Sequence, residues 1–164
     1  MRLSEFLRTD RIVLPLADTT LRDAANTLLQ RLIASDAIAS PEKVAQRILE
    51  LRGEDIVAMG ERAFLVHFRT DAVHEIGIAM GVAPHEIVRE LGGEEAQRAR
   101  IVLMIVAPPR MAARYLQILG AFARVLSRDA VIEQILGASD PATLANLPAF
   151  GEVELPRQLG SATS

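Results

Sequence analysis

Ile101-Val-Leu-Met-Ile-Val106, extended by Ala107 and stopped by Pro108-Pro109, is an unbroken apolar run with no polar residue alternating through it. A strand with one wet face alternates apolar and polar residues, whereas a strand covered on both faces by helices does not. The run is also far shorter than the ~20 apolar residues that a membrane span requires. It therefore predicts the central strand of a sheet held between helical layers, with Val102 to Ile105 buried from both sides.

The segments on either side supply those layers. Upstream, Arg11-Ile-Val-Leu-Pro-Leu16 is a short β-branched run, and Asp18-Thr19-Thr20 has side chains suited to capping a helix. From Leu21 the residues Ala24, Ala25, Leu28, Leu29, Leu32 and Ile33 recur at helical spacing until Ser35-Asp36. Ser40-Pro41-Glu42 opens a second helix with a proline at its first position, and Val44, Ile48 and Leu51 carry its stripe to Gly53. Ile56-Val57, Ala63-Phe-Leu-Val66 and Ile76-Gly-Ile-Ala-Met80 read as strands, while Pro84-His85-Glu-Ile-Val88 reads as a local helix. Downstream, Met111 to Leu126 predicts a long helix striped by Tyr115, Leu116, Leu119, Phe122, Ala123 and Leu126. Shorter helices are expected at Asp129 to Leu136 and Pro141 to Leu147. Together these predict a three-layer α/β/α sandwich with a mixed central sheet over residues 1–147. The aperiodic residues 148–164 are expected to form a loose tail.

Composition narrows the function. A chain of 164 residues that is half apolar suits one domain. With 18 basic against 21 acidic residues, it lacks the cationic surface of a nucleic-acid-binding protein. The absence of cysteine removes thiol catalysis and thiolate zinc sites, and fits a reducing compartment. No signal-peptide core stands at the amino terminus, so a cytoplasmic location without membrane insertion is expected. The three histidines, His67, His74 and His85, form no recognised metal spacing. No dinucleotide fingerprint, phosphate loop or nucleophile elbow is present, so neither metal nor cofactor is expected.

His67 stands apart because it follows the strand Ala63-Phe-Leu-Val66, and strand ends are where α/β folds carry their sites. A neutral imidazole there could attack phosphorus, with Arg69 two residues on offsetting phosphoryl charge. The same residues fit a histidine hydrogen-bonded at a strand terminus beside a surface arginine. Spacing does not choose between the two.

The order of elements resembles the enzyme IIA domain of the fructose/mannitol and nitrogen-regulatory branch of the bacterial phosphoenolpyruvate-dependent phosphotransferase system. The resemblance rests on Leu3-Ser-Glu-Phe-Leu7 with Arg11-Ile-Val-Leu14, on the alanine-rich first helix, and on the second helix that opens at Ser40-Pro41. It continues through Arg52-Gly53-Glu54, Gly60-Glu61-Arg62 and Ala63-Phe-Leu-Val-His-Phe-Arg-Thr-Asp71. Ile101 to Pro108 resembles that family's buried strand ending in Ala-Pro, and Tyr115-Leu-Gln-Ile-Leu119 its following helix. His67 falls on the family's phosphorylated histidine, Arg69 on the arginine of the same signature, and Tyr115 on a second histidine. Val66 stands where the family has proline and Phe68 where it has alanine. Glu61 and Arg62 replace glycines of the approach, where a glutamate facing a phosphoryl group would oppose it.

What the resemblance implies is a phosphocarrier that accepts a phosphoryl group on His67 Nε2 from a histidine-containing phosphocarrier protein. Arg69 and Arg52 would offset phosphoryl charge, and Tyr115 would orient the group or the ring. Because no permease segment or sugar-binding domain is attached, a regulatory, nitrogen-type role toward an unidentified protein partner is expected rather than sugar uptake. The alternative is a non-catalytic domain that keeps the fold and regulates by contact alone, for which the replaced proline, glycines and second histidine speak.

Overall fold

The computed structural model describes residues 1–49, 51–93 and 95–156. β1 (Ile12–Val13), β2 (Ile56–Met59), β3 (Ala63–Arg69), β4 (Gly77–Arg89) and β5 (Gln97–Ala107) form one sheet in the order β1-β4-β5-β3-β2. The expected central strand is central. β5 runs parallel to β3 and antiparallel to β4, β2 is antiparallel to β3, and β1 is parallel to β4, so the sheet is mixed.

Alternation along β5 divides the core. Ile101, Leu103, Ile105 and Ala107 face one hydrophobic layer and Val102, Met104 and Val106 the other, all without solvent exposure. α1 (Leu21–Ala34) and α2 (Pro41–Leu49) cover the second face through Leu28, Leu29, Leu32, Val44 and Ile48. α3 (Ala112–Leu126), α4 (Asp129–Gly137), α5 (Pro141–Ala145) and α6 (Pro148–Glu152) cover the first. Thr20 caps α1, its hydroxyl accepting from the Asp23 N–H at 3.2 Å. Gly81 lets α1 and the preceding loop close onto β4, since a Cβ there would lie 2.7 Å from a Leu16 methyl. Gly60, at φ 60°, turns the β2–β3 hairpin.

The structure corrects three expectations. Residues 84–88 are not a helix but the continuation of β4, which slips register between Val82 and Ile87. Five steps on β4 stand there against two on β5, which breaks the period of two that marks a strand, and the exposed Pro84 sits in that irregularity, where a missing N–H costs nothing. The strand expected over residues 11–16 is only Ile12–Val13, because a 3-10 turn, Thr9–Arg11, runs into it.

The third correction concerns the tail. Residues 148–156 are packed rather than loose: Phe150 is fully buried against Phe122, with ring centroids 6.0 Å apart. The Leu3 N–H donates to the Val153 carbonyl at 3.0 Å and the Leu155 N–H to the Met1 carbonyl at 2.8 Å. Arg114, itself buried, donates to the Pro156 carbonyl at 2.8 Å. Apolar anchors spaced too irregularly for any single period carry this segment. The remaining residues of the expected tail, 157–164, lie outside the described residues.

Phe150→Ala should therefore cost about 3–5 kcal/mol of folding stability, the usual effect of emptying a buried phenylalanine site. Urea unfolding would measure it, and a loss below about 1 kcal/mol would show that residues 148–156 are not part of the core.

Candidate functional site

Parity along β3 determines where His67 points. Ala63 and Leu65 face the layer of α3, Phe64, Val66 and Phe68 face the layer of α1 and α2, and His67 shares the parity of Ala63 and Leu65. β3 pairs with β5 in parallel, His67 opposite Ile105 and Arg69 opposite Ala107. That register carries His67 to the end of the sheet from which α3 departs after Pro108-Pro109. Tyr115, in the first turn of α3, meets it there: His67 Nδ1 and Tyr115 Oη are hydrogen-bonded at 2.5 Å.

The pair lines an open cleft of about 470 Å³ together with Arg47, Asp55, Phe68, Arg69 and Pro109. Arg69 is exposed at its rim. Arg47, from α2, stacks its guanidinium over the Phe68 ring at 5.0 Å and grips Asp55 with two bonds, at 2.7 and 2.8 Å. Asp55 is buried, and its carboxylate also accepts from the Arg52 N–H at 2.9 Å.

The expected site residues are thus brought together in part. His67, Arg69 and Tyr115 share one cleft. Arg52 does not join them: its exposed guanidinium pairs with Glu54 at 3.5 Å, and only its backbone serves the cleft, through Asp55. Glu61 and Arg62 belong to the β2–β3 turn at the other end of β3 from His67, and Arg62 pairs there with Asp129. Glu61 therefore does not face the imidazole. His85 Nε2 bonds the Asp18 carbonyl at 2.8 Å, and neither it nor His74 lines this cleft. Sequence reasoning missed Arg47 and Asp55. The available signal was the hairpin register: Ile56 pairs with Val66, so Asp55 sits one step beyond, beside His67.

Burial pushes the His67 imidazole below its ordinary 6.5, against the pull of the Asp55 charge, which raises it. The ring is therefore neutral at pH 7, the form whose nitrogen carries a free lone pair. Nε2 is shut from solvent and has no hydrogen-bond partner among the described residues, while Nδ1 holds Tyr115. In the tautomer whose Nδ1–H donates to Tyr115 Oη, Nε2 is left with its lone pair bare. Burial likewise raises the Tyr115 phenol to about 12, the Asp55 charge adding to it and the Arg69 charge opposing. Tyr115 remains a neutral hydrogen-bonding group throughout the physiological range.

A mixed five-stranded sheet between helical layers is the architecture of the mannitol-type enzyme IIA domains. The chain belongs to the family described as phosphoenolpyruvate-dependent sugar phosphotransferase system, EIIA 2, whose model matches residues 5–147. Phosphohistidine transfer is the general function of that family. Among relatives, the 2-O-alpha-mannosyl-D-glycerate-specific EIIABC component of Escherichia coli is 26% identical over 145 residues, which are 88% of this chain and 22% of that protein. The chain thus spans about a fifth of that relative's length. Among solved structures, the nitrogen regulatory protein IIA-Ntr of Neisseria meningitidis shares the fold with a TM-score of 0.66 at 13% identity, over 87% of this chain and 96% of that one. The mannitol enzyme IIA of E. coli, solved in complex with phosphorylated enzyme IIB, gives 0.68 at 22% identity, over 84% and 93%. Among the described residues, no helix is long and apolar enough to cross a membrane.

The chain has one tyrosine and no tryptophan, so its near-ultraviolet phenolate absorbance reports Tyr115 alone. The folded protein should titrate at about 12 and the urea-unfolded chain at about 10. Because the unfolded chain loses this proton first, the contribution of Tyr115 to stability is whole below about pH 10 and is lost as the pH rises toward the folded value. His67 works in the opposite sense. Its contribution is whole above about pH 6.5 and is lost as the pH falls from there through the lower folded value. A folded phenol titrating at its unfolded value would contradict the buried His67–Tyr115 contact.

Proposed function

We propose that this domain accepts a phosphoryl group on His67 from a histidine-containing phosphocarrier protein and that it works in the cytoplasm in a regulatory, nitrogen-type role. The observation that carries the reading is the meeting of His67 and Tyr115 in one cleft with Arg69 and Arg47, although these residues come from three separate elements. In the transfer, the His67 Nε2 lone pair forms a bond to phosphorus while the phosphorus–nitrogen bond to the donor imidazole breaks. The released electron pair stays on the donor nitrogen, and each ring keeps the proton on its other nitrogen. Arg69 at the rim offsets the charge of the group in flight, and positioning supplies most of the rate. Because Nε2 is enclosed at rest, acceptance requires the groups around His67 to move until Nε2 faces the donor.

The hydroxyl of Tyr115 supports regulatory use. Tyr115 can donate a hydrogen bond to the phosphoryl group but brings no charge of its own, so the group is held less tightly than beside a protonated second imidazole. Occupancy then follows the supply of phosphorylated donor instead of saturating, which suits a reporter more than a conduit. The recipient is an enzyme IIB-type domain or a regulated protein. One observation favours a second reading, a domain that regulates by contact without phosphotransfer: Nε2 is closed off from solvent.

Incubation with phosphoenolpyruvate, enzyme I and the phosphocarrier protein, followed by intact mass and acid-lability tests, separates the two. The expected outcome is one acid-labile phosphate, lost in His67→Ala and kept in His74→Ala and His85→Ala. Tyr115→His should raise the steady-state phosphorylated fraction, most clearly below about pH 6.5, where the new imidazole is charged, and Tyr115→Phe should lower it. Absence of phosphate from the parent protein would leave the contact-only reading.

A further inference from the structure

Asp55 is an unusual neighbour for a phosphoryl-accepting histidine. It is 5% exposed and lines the same cleft. The 3-10 turn Gly53–Asp55 packs against β3, and the hairpin register sets Asp55 beside His67. The carboxylate is immobilised from two sides, by the Arg52 N–H and by both terminal nitrogens of Arg47. Arg47 is in turn fixed over Phe68, so the cation that lines the floor of the cleft is committed to a carboxylate. A dianionic phosphoryl group entering this cleft meets a fixed negative charge, and it has to compete with that charge for the guanidinium.

On the phosphocarrier reading above, we propose that Asp55 is a positioning residue that limits how tightly His67 holds a phosphoryl group, by keeping Arg47 engaged and by placing a permanent negative charge beside the imidazole. Phosphorylated His67 is thereby kept a ready donor. The Arg47–Asp55 pair opens as the group arrives and closes again as it leaves. Arg47 is the reserve cation of the site, and Asp55 is the group that withdraws it.

The test is the equilibrium between this protein and the phosphorylated histidine-containing carrier, read by phosphate-affinity electrophoresis of both proteins. Asp55→Asn keeps an acceptor for the Arg52 N–H and removes only the charge. It should raise the ratio of phosphorylated to free protein at least about threefold at a fixed donor ratio. Asp55→Asn combined with Arg47→Gln should forfeit the part of that gain due to the guanidinium. A ratio unchanged or lowered in Asp55→Asn, with the parent carrying phosphate on His67, overturns the proposal and leaves the phosphocarrier reading intact. Failure of both parent and variant to take phosphate overturns both, whereas phosphate on the variant alone supports the proposal in its strongest form. A second readout needs no phosphate: nitrogen-15 imidazole NMR of the unmodified protein should show the His67 midpoint falling further in Asp55→Asn, because the charge that raises it is gone. A midpoint that stays put means that the charge does not reach the ring and also overturns the proposal. Should Asp55→Asn fail to fold, Arg47→Gln alone, which leaves the carboxylate without its counter-ion, should lower the phosphorylated ratio by a similar factor.

Discussion

The parallel, residue-for-residue pairing of β3 with the doubly buried β5 is the constraint on which the rest of the structure depends. A strand buried on both faces cannot slip by one residue, because each layer would then receive side chains shaped for the other. Once β5 is held, seven consecutive pairs, from Ala63–Ile101 to Arg69–Ala107, set the face of every residue of β3. His67 faces α3 because Ala63 and Leu65 do, and Arg69 follows it. The two layers that shield β5 are also the two sources of the cleft: α3 brings Tyr115, and α2 brings Arg47.

The electrostatics of the cleft follow from where these elements end. His67 and Tyr115 are drawn far enough into the core that desolvation dominates both, pressing the imidazole and the phenol toward their neutral forms. The charges are arranged around that neutral pair. Asp55 and Arg47 neutralise each other on the side of α2, and Arg69 stands at the exposed rim. Neutrality at His67 with charge at the margin leaves an imidazole nitrogen with a free lone pair at pH 7 without a dedicated base.

Periodicity and resemblance reached different parts of this arrangement. The unbroken apolar run at residues 101–107 was enough to foresee the central strand, and the helical stripes of α1 and α3 were plain because each presents one dry face. The resemblance placed Tyr115 against His67 across 48 residues of chain, a contact that spacing could not have suggested. Residues 84–88 misled because a register slip breaks the period of two on which strand reading depends. Residues 148–156 misled because isolated anchors such as Phe150 and Leu155 have no period. Arg52 stands out in the sequence by its place in a motif, but its backbone is committed to Asp55 and its side chain to Glu54. Arg47, on the half-exposed edge of α2, looked like any solvated helix residue until the fold set Asp55 beneath it.

The same constraint explains how a fold can persist while its site changes. Pairing of β3 with β5 uses backbone groups and the apolar side chains of residues 63–66, and none of these depends on whether proline or valine precedes His67, or on whether tyrosine or histidine occupies position 115. A neutral phenol fits the buried position 115 at less cost than an imidazolium would, since a charged ring beside His67 has to be desolvated. On the phosphocarrier reading, tyrosine at position 115 brings no positive charge to a phosphoryl group, which acts in the same direction as the Asp55 charge. Fold similarity is blind to both features, and what this domain can do is decided by side chains that its architecture merely carries.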